Sequence, residues 1–365
     1  MPPVLDPALA APPLAILVTP KHFEIKEAPV PEPGPKEVLI KVEYVGMCGS
    51  DIHGFEFGPF IPPKDPNQEI GLGHEVSGEV VKVGSDVTRF KPGDKVLVEP
   101  GVPDSSCEYC RTGRYNICPD VDFMATQPNY RGALCQYMTH PEDWVYPVPE
   151  GMSMVEAALV EPAAVGMHAA ILGGASLGSH IVILGCGTIG LMTLQACRSL
   201  GATDITVVDV IPSKLELAKK LGAKEAINGK ETDTVKYLRS ADKFGDHGVD
   251  LVFECGGSAF LAQQAVQLVA RGGKIMMVGT QSKPVPIDFL KINREVTIQT
   301  SFRYCNDYPR TIEAISTGKF NVKDMVTNVY DYRDVQKAFS DAIDPQKKID
   351  MVKGVVKVAG TPGCE

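Results

Sequence analysis

The chain lacks several features that would each fix a class of function. It has no excess of positive charge: 36 Lys and Arg stand against 45 Asp and Glu, for a formal net charge of −9. No Lys/Arg stripe is present, which excludes nucleic acid as the expected partner, because phosphates demand cations. It equally excludes a polybasic grip on an anionic membrane. No apolar run is long enough for a transmembrane helix where one would be sought. The uncharged stretch Ile181–Cys197 is shorter than the roughly 20 residues a span requires, and Gly185, Gly187 and Gly190 interrupt it. The N-terminal MPPVLDPALAAPPLAILV has no basic n-region and carries Asp6 and repeated prolines, so it does not read as a secretory signal. Repeats and low-complexity tracts are also missing. These absences together give the expectation of a soluble, cytoplasmic protein.

What is present is ordinary globular material. The 365 residues are 44% hydrophobic and 22% charged, enough apolar surface for sizeable cores. At roughly 100–200 residues per domain, the length suggests two domains. The 10 cysteines run from Cys48 to Cys364, with Cys107, Cys110 and Cys118 close together. In a long chain without a signal, close cysteines read as metal ligands or buried thiols rather than a disulfide framework.

The first half is strand-like. Val38–Val45, Val76–Val83 and Lys95–Glu99 are short apolar runs punctuated by Gly84-Ser85-Asp86 and Pro92-Gly93-Asp94. The segment from Pro100 to Pro128 is a polar loop, long enough to need a function or an internal staple. After Pro162 the pattern changes. Strands at Ile181–Leu184, Ile205–Asp209, Leu251–Glu254 and Lys274–Val278 alternate with helices at Thr188–Leu200, Ser213–Leu221 (Ser213 as N-cap) and Ala259–Ala270. Such βαβα alternation predicts a doubly wound parallel sheet. The tail, with a helix at Val335–Ala342, returns to the first domain. The expected division is residues 1–162 with 301–365, and 163–300.

Gly185-Cys186-Gly187-Thr188-Ile189-Gly190 fits G-x-G-x-x-G, directly after a strand and opening a helix. The first glycine permits a tight turn, the second lets backbone approach a pyrophosphate, and the third lets helix and strand pack closely. The helix N-terminus offers unpaired N–H groups to the phosphates. Asp209 ends the next strand, where a carboxylate binds ribose hydroxyls and repels a 2′-phosphate. No arginine follows in Val210–Lys214, so the expected cofactor is NAD.

Cys48, His74, Glu75 and Glu161 offer thiolate, imidazole and carboxylate, donors that zinc accepts. Singly, a cysteine is more often a small core residue and a histidine more often structural. Their occurrence in this order beside a dinucleotide pattern raises the odds.

Here a family resemblance becomes specific. GHEVSGEVVKVGSDV with the following KPGDKV resembles the zinc signature of the medium-chain dehydrogenases, over about Lys21 to Val358. Glu161, the EPGVP run at Glu99–Pro103 and FRYCN at Phe302–Asn306 are similar to the sorbitol (polyol) dehydrogenase group; simple alcohol dehydrogenases carry cysteine at the Glu161 position. The resemblance implies an α/β protein, a GroES-like β-rich catalytic domain plus a doubly wound Rossmann domain. It implies a catalytic zinc on Cys48, His74 and Glu75, with Glu161 bound directly or through water. Ser50 and His53 would relay the alcohol proton, Arg303 and Tyr304 would reach polyol hydroxyls, and Phe57 would line the pocket. Zinc would act as a Lewis acid that lowers the pKa of a bound hydroxyl before hydride passes to NAD. His53 suits a relay because histidine titrates near working pH.

The family's structural zinc uses four cysteines spaced C-x-x-C-x-x-C-x7-C. This chain has Asp104 at the first position and Cys107, Cys110 and Cys118 at the others. Aspartate is an acceptable, harder ligand, and crowded thiolates without a metal invite oxidation, which favours a structural zinc over a metal-free lobe. The family implies a homo-oligomer, dimer or tetramer, with Val296–Ser301 able to pair across a dimer edge. The expected activity is NAD-linked oxidation of a small polyol to a ketose. The rivals are a 2,3-butanediol or threonine dehydrogenase, a zinc-free quinone-type reductase, and a non-catalytic family member.

Overall fold

The computed structural model describes residues 12–281 and 283–360. The reading of the extreme N-terminus and Cys364 therefore fall wholly or partly outside the described residues. Backbone contacts divide the chain into Met1–Glu161 with Val326–Glu365, and Pro162–Met325.

In the first unit, the strand Glu37–Gly46 sits at the centre of a seven-stranded sheet. It pairs antiparallel with Glu75–Val83, which pairs with Lys95–Val98, which pairs with Val145–Pro147. On its other side lie Lys353–Lys357 and then Val326–Asp331, and Tyr137–Pro141 also pairs with it. Its sequence explains the placement: Val38, Ile40, Val42 and Val45 are all buried, and β-branched side chains suit a pleated surface. They meet Val76, Val80, Val96, Val98 and Val356 in one core. The segment read as a loop after Pro100 contains its own staple, a short ladder of Gly101–Val102 with Asp122–Phe123, and a single-turn helix Glu108–Arg111.

The second unit holds six parallel strands in the order Glu225–Asn228, Asp204–Asp209, His180–Leu184, Val249–Glu254, Val269–Met277, Thr297–Thr300. Ile181 through Leu184 are fully buried. A continuous apolar run is what a strand covered on both faces requires. Residues 301–325, expected with the first unit, pack in this one. Gln195 from the helix Thr188–Ser199 accepts from Asn321 N at 2.7 Å, and His168 meets Asp307 at 2.7 Å.

The expected helices are present, with two local differences. The one expected over Ala259–Ala270 ends at Leu268, and Val269 and Ala270 open the strand Val269–Met277. The helix expected from Ser213 runs Pro212–Lys220 with Ile211 at the N-cap position and no side-chain cap, so Ser213 is not its N-cap. Pro212 takes the first helical position, where the N–H it lacks would have had no partner. No helix among the described residues is long and apolar enough to cross a membrane.

Candidate active site

Two elements bring the metal-type donors together. Cys48 caps the helix Gly49–Phe57, and Glu75 opens the strand Glu75–Val83 with His74 immediately before it. One donor atom from each of Cys48, His74 and Glu75 lies within 4.8 Å of the others. His74 and Glu75 are buried and Cys48 is half-buried. Glu161, buried in the first turn of the helix Val160–Gly173, stands outside this group of three.

The carboxylate of Glu75 is divided between two roles. Its Oε1 accepts from Lys353 Nζ at 2.6 Å, and that ammonium also donates to Met47 O at 3.0 Å. Its Oε2 is buried without a hydrogen-bond partner. A buried carboxylate oxygen left unpaired is costly unless something cationic occupies the space before it. Gly46 makes room: a Cβ there would fall 1.8 Å from Glu75 Oε2.

Asp51 orients the imidazole. Its Oδ2 lies 3.2 Å from His74 Nδ1, and its Oδ1 accepts from Gly73 N at 3.0 Å. The contact is an ionic approach without hydrogen-bond geometry at Nδ1, and with Nδ1 beside the carboxylate Nε2 is the nitrogen left for a metal. Burial opposes charge on His74, but the Asp51 carboxylate and Cys48 outweigh it and hold its pKa well above the ordinary imidazole value. Asp51 is lowered despite burial, by His74 and by the N–H groups of Gly73 and Cys48. The sequence reading assigned no role to Asp51 or Lys353. Asp51 had a local signal, an acid three residues into the helix that Cys48 caps. Lys353 had none.

Ser50 is exposed and its hydroxyl donates to Cys48 Sγ at 3.3 Å. Among the described residues no hydrogen bond joins it to His53. The His53 ring stacks on Phe60 at 3.8 Å and tilts towards Phe57 at 5.0 Å; Phe57 is 65% exposed.

The second donor group is complete as read. Asp104, Cys107, Cys110 and Cys118 offer donor atoms all within 4.8 Å of one another. Asp104 Oδ1 accepts from Ser106 N at 2.8 Å and Cys107 N at 3.0 Å, bonds that hold the carboxyl well below its usual range. Desolvation and the neighbouring Cys107 and Asp104 push the Cys110 thiol up to about 12.

In the second unit, Gly185 has φ +101, and a Cβ on Gly190 would fall 1.9 Å from Gly185 O, so neither position tolerates a side chain. Gly187 caps the helix that begins at Thr188 and Ile189. Asp209 is not idle in this arrangement. Its Oδ2 accepts from Cys186 N at 2.6 Å, and its Oδ1 from Val210 N at 2.7 Å and Ile211 N at 3.0 Å. The carboxylate is thus fixed against the glycine-rich turn, with acceptor capacity remaining. Arg303 lies with its guanidinium 4.8 Å over the half-exposed Phe302 ring. Tyr304 is 3% exposed and packs on Tyr308, so it sits inside rather than on an accessible face.

Residues 34–150 match the family described as "Alcohol dehydrogenase GroES-like domain" and residues 188–317 that described as "Zinc-binding dehydrogenase". The uncharacterized zinc-type alcohol dehydrogenase-like protein YdjJ of Escherichia coli is 61% identical over 94% of this chain and 98% of its own. Sorbitol dehydrogenase of Bacillus subtilis is 41% identical over 90% and 93%. The crystal structure of an Escherichia coli oxidoreductase/dehydrogenase of unknown specificity superposes with a TM-score of 0.93 at 60% identity, covering 96% and 99%. A zinc-binding dehydrogenase of Sinorhizobium meliloti bound to NADP gives 0.86 at 28% identity, covering 95% and 99%. The two units are a GroES-like domain and a Rossmann domain. The chain belongs to the zinc-dependent medium-chain dehydrogenase/reductase family of oxidoreductases, within its sorbitol dehydrogenase group.

Proposed function

We propose that the protein is an NAD-linked polyol dehydrogenase, oxidising a secondary hydroxyl of a small sugar alcohol to the ketose. The observation that carries the reading is the buried trio of Cys48, His74 and Glu75, in which Glu75 Oε2 has no hydrogen-bond partner. Thiol, imidazole and carboxylate at that spacing fit a zinc ion. Held by these three residues, with Glu161 reaching it through water, zinc would supply the Lewis acidity that lowers the pKa of an alcohol hydroxyl. Lys353 fixes one oxygen of Glu75 and Asp51 fixes the imidazole. Ser50 takes the alcohol proton, and His53, which makes no direct hydrogen bond to Ser50, passes it to solvent through an intervening hydroxyl or water.

A second zinc on Asp104, Cys107, Cys110 and Cys118 plays a structural part. The fit rests on the donor set: without a cation the crowding keeps Cys110 protonated, and a divalent ion removes that conflict.

NAD is preferred over NADP because the Asp209 carboxylate, pinned by three amides, would face a 2′-phosphate with like charge. The polyol assignment rests on Glu161, the FRYCN segment and the likeness to sorbitol dehydrogenases. Arg303 contributes guanidinium donors for adjacent hydroxyls. A homo-oligomer forms through the strand Thr297–Thr300, the last in the Rossmann sheet, since an unpaired edge is a template for a second copy; a monomer by light scattering contradicts this.

The test is NADH formation across sorbitol, xylitol, iditol, galactitol, 2,3-butanediol, threonine and ethanol, each with NAD and NADP. Turnover of sugar alcohols with NAD is the expected result. Turnover of butanediol or threonine alone overturns the substrate class. A preference for NADP overturns the role given to Asp209.

A further inference from the structure

The segment Phe302–Asn306 holds an unusual backbone. Arg303 has φ +52 and Asn306 φ +60, two residues with side chains in the left-handed region within four positions. Asparagine tolerates that conformation and arginine rarely adopts it. A strained residue persists only where its surroundings over-determine it. Here the surroundings converge on Asp307. Its Oδ2 accepts from Cys305 N at 3.2 Å, between the two strained residues, and from His168 Nδ1 at 2.7 Å. Arg310 Nε lies 3.6 Å from its Oδ1. Asp307 is 2% exposed, and its main-chain oxygen anchors the following helix through Thr311. Tyr304 adds an apolar anchor on Tyr308 at 5.2 Å.

A buried carboxylate is an expensive way to cap a helix, because the charge must be taken out of water. Asp307 makes no side-chain cap to its own helix. Its side-chain hydrogen bonds go back to the strained segment and across to the helix Val160–Gly173, which carries His168, and only the longer Arg310 ion pair reaches its own helix. The charge is spent on fixing the loop that displays Arg303.

We propose that Asp307, braced by His168, is a positioning residue that locks Phe302–Asn306 and so sets the reach of Arg303 towards the distal hydroxyls of a polyol. The proposal rests on the polyol reading above. It adds a pair of residues that touch no substrate and decide how selectively a polyhydroxylated one is bound.

The experiment compares sorbitol with 2-propanol, a secondary alcohol with no second hydroxyl for Arg303, using NAD and the zinc-loaded full chain. Asp307→Ala is expected to raise KM for sorbitol about tenfold, with kcat within about twofold and KM for 2-propanol little changed, since loss of orientation is felt where a positioned contact is made. Asp307→Asn, which keeps an acceptor for Cys305 N, is expected to recover part of the loss and carries the test if the alanine variant does not fold. Amide hydrogen exchange at Phe302–Asn306 is expected to accelerate about tenfold in Asp307→Ala. An unchanged KM for sorbitol, a parallel loss on both alcohols, or unchanged exchange overturns the lock while leaving the polyol reading intact. Wild-type enzyme that turns over 2-propanol but no polyol overturns the polyol reading instead, and the specificity role of Asp307 with it.

Discussion

Lys353 and Glu75, 278 positions apart in sequence, form an ion pair at 2.6 Å with both side chains sealed from solvent. The strand Lys353–Lys357 pairs with Glu37–Gly46, and that strand pairs with Glu75–Val83, so the sheet brings the two charges together. The pair neutralises one oxygen of Glu75 and leaves the other towards Cys48 and His74.

Removing one member of such a pair leaves an uncompensated buried charge. Lys353→Met is expected to destabilise the fold by about 3–5 kcal/mol in urea unfolding. The double variant Lys353→Met/Glu75→Gln should recover most of that, because both charges are then gone. A single variant as stable as wild type would mean that the pair is not sealed as described.

Gly46 is the steric counterpart of this arrangement. Since a Cβ there would fall 1.8 Å from Glu75 Oε2, Gly46→Ala must displace the carboxylate. The fold should survive with a modest loss, while zinc bound per chain falls from two to one and alcohol turnover drops at least tenfold, as expected when a ligand is moved by an ångström. Dinucleotide binding, measured by NADH fluorescence, should be retained. Full activity in Gly46→Ala would detach Glu75 from the chemistry.

Much of this was legible in the sequence where the signal is local. The G-x-G-x-x-G turn, the buried run Ile181–Leu184, the strand Ile205–Asp209 and the Asp104-to-Cys118 spacing are short-range patterns. The structure closes each of them as spaced. Lys353 could not be found that way, because its partner is set by strand order rather than by sequence distance. Asp209 reads as a free acid at a strand end, and only the fold turns Cys186, Val210 and Ile211 amides onto it. The helix start at Pro212 was hidden by the stronger capping preference of Ser213, which lost to a proline suited to the first helical turn. Tyr304 was given a substrate contact only by the family resemblance, and its burial against Tyr308 has no local signal in the sequence.

Metal content separates the two donor groups. Elemental analysis of the wild-type chain is expected to give two zinc atoms. Asp104→Ala should give one, with Tm lowered and turnover largely kept, because that lobe does no chemistry. Cys48→Ser or His74→Ala should also give one, with turnover abolished and NADH binding intact. One zinc in the wild type, retained in Asp104→Ala, would make the Asp104 lobe metal-free.

Acid sensitivity should have an identifiable contributor in His140. The residue is 5% exposed, on the strand Tyr137–Pro141, with Nε2 at 2.9 Å from Glu99 O. Burial pushes its pKa down to about 4, against the Glu99 carbonyl, which favours the protonated ring. In the unfolded chain the same ring titrates at about 6.5. The unfolded state therefore binds the proton first as pH falls. Stability from the neutral buried ring is fully present above about pH 6.5 and is lost progressively down to about pH 4, up to about 3 kcal/mol. His140→Gln keeps a donor for Glu99 O and cannot titrate. Urea unfolding of both proteins at pH 7, 6, 5 and 4 should show the wild type losing stability more steeply, by most of that amount, across the interval. Parallel curves would mean that His140 takes up its proton without leaving its buried site.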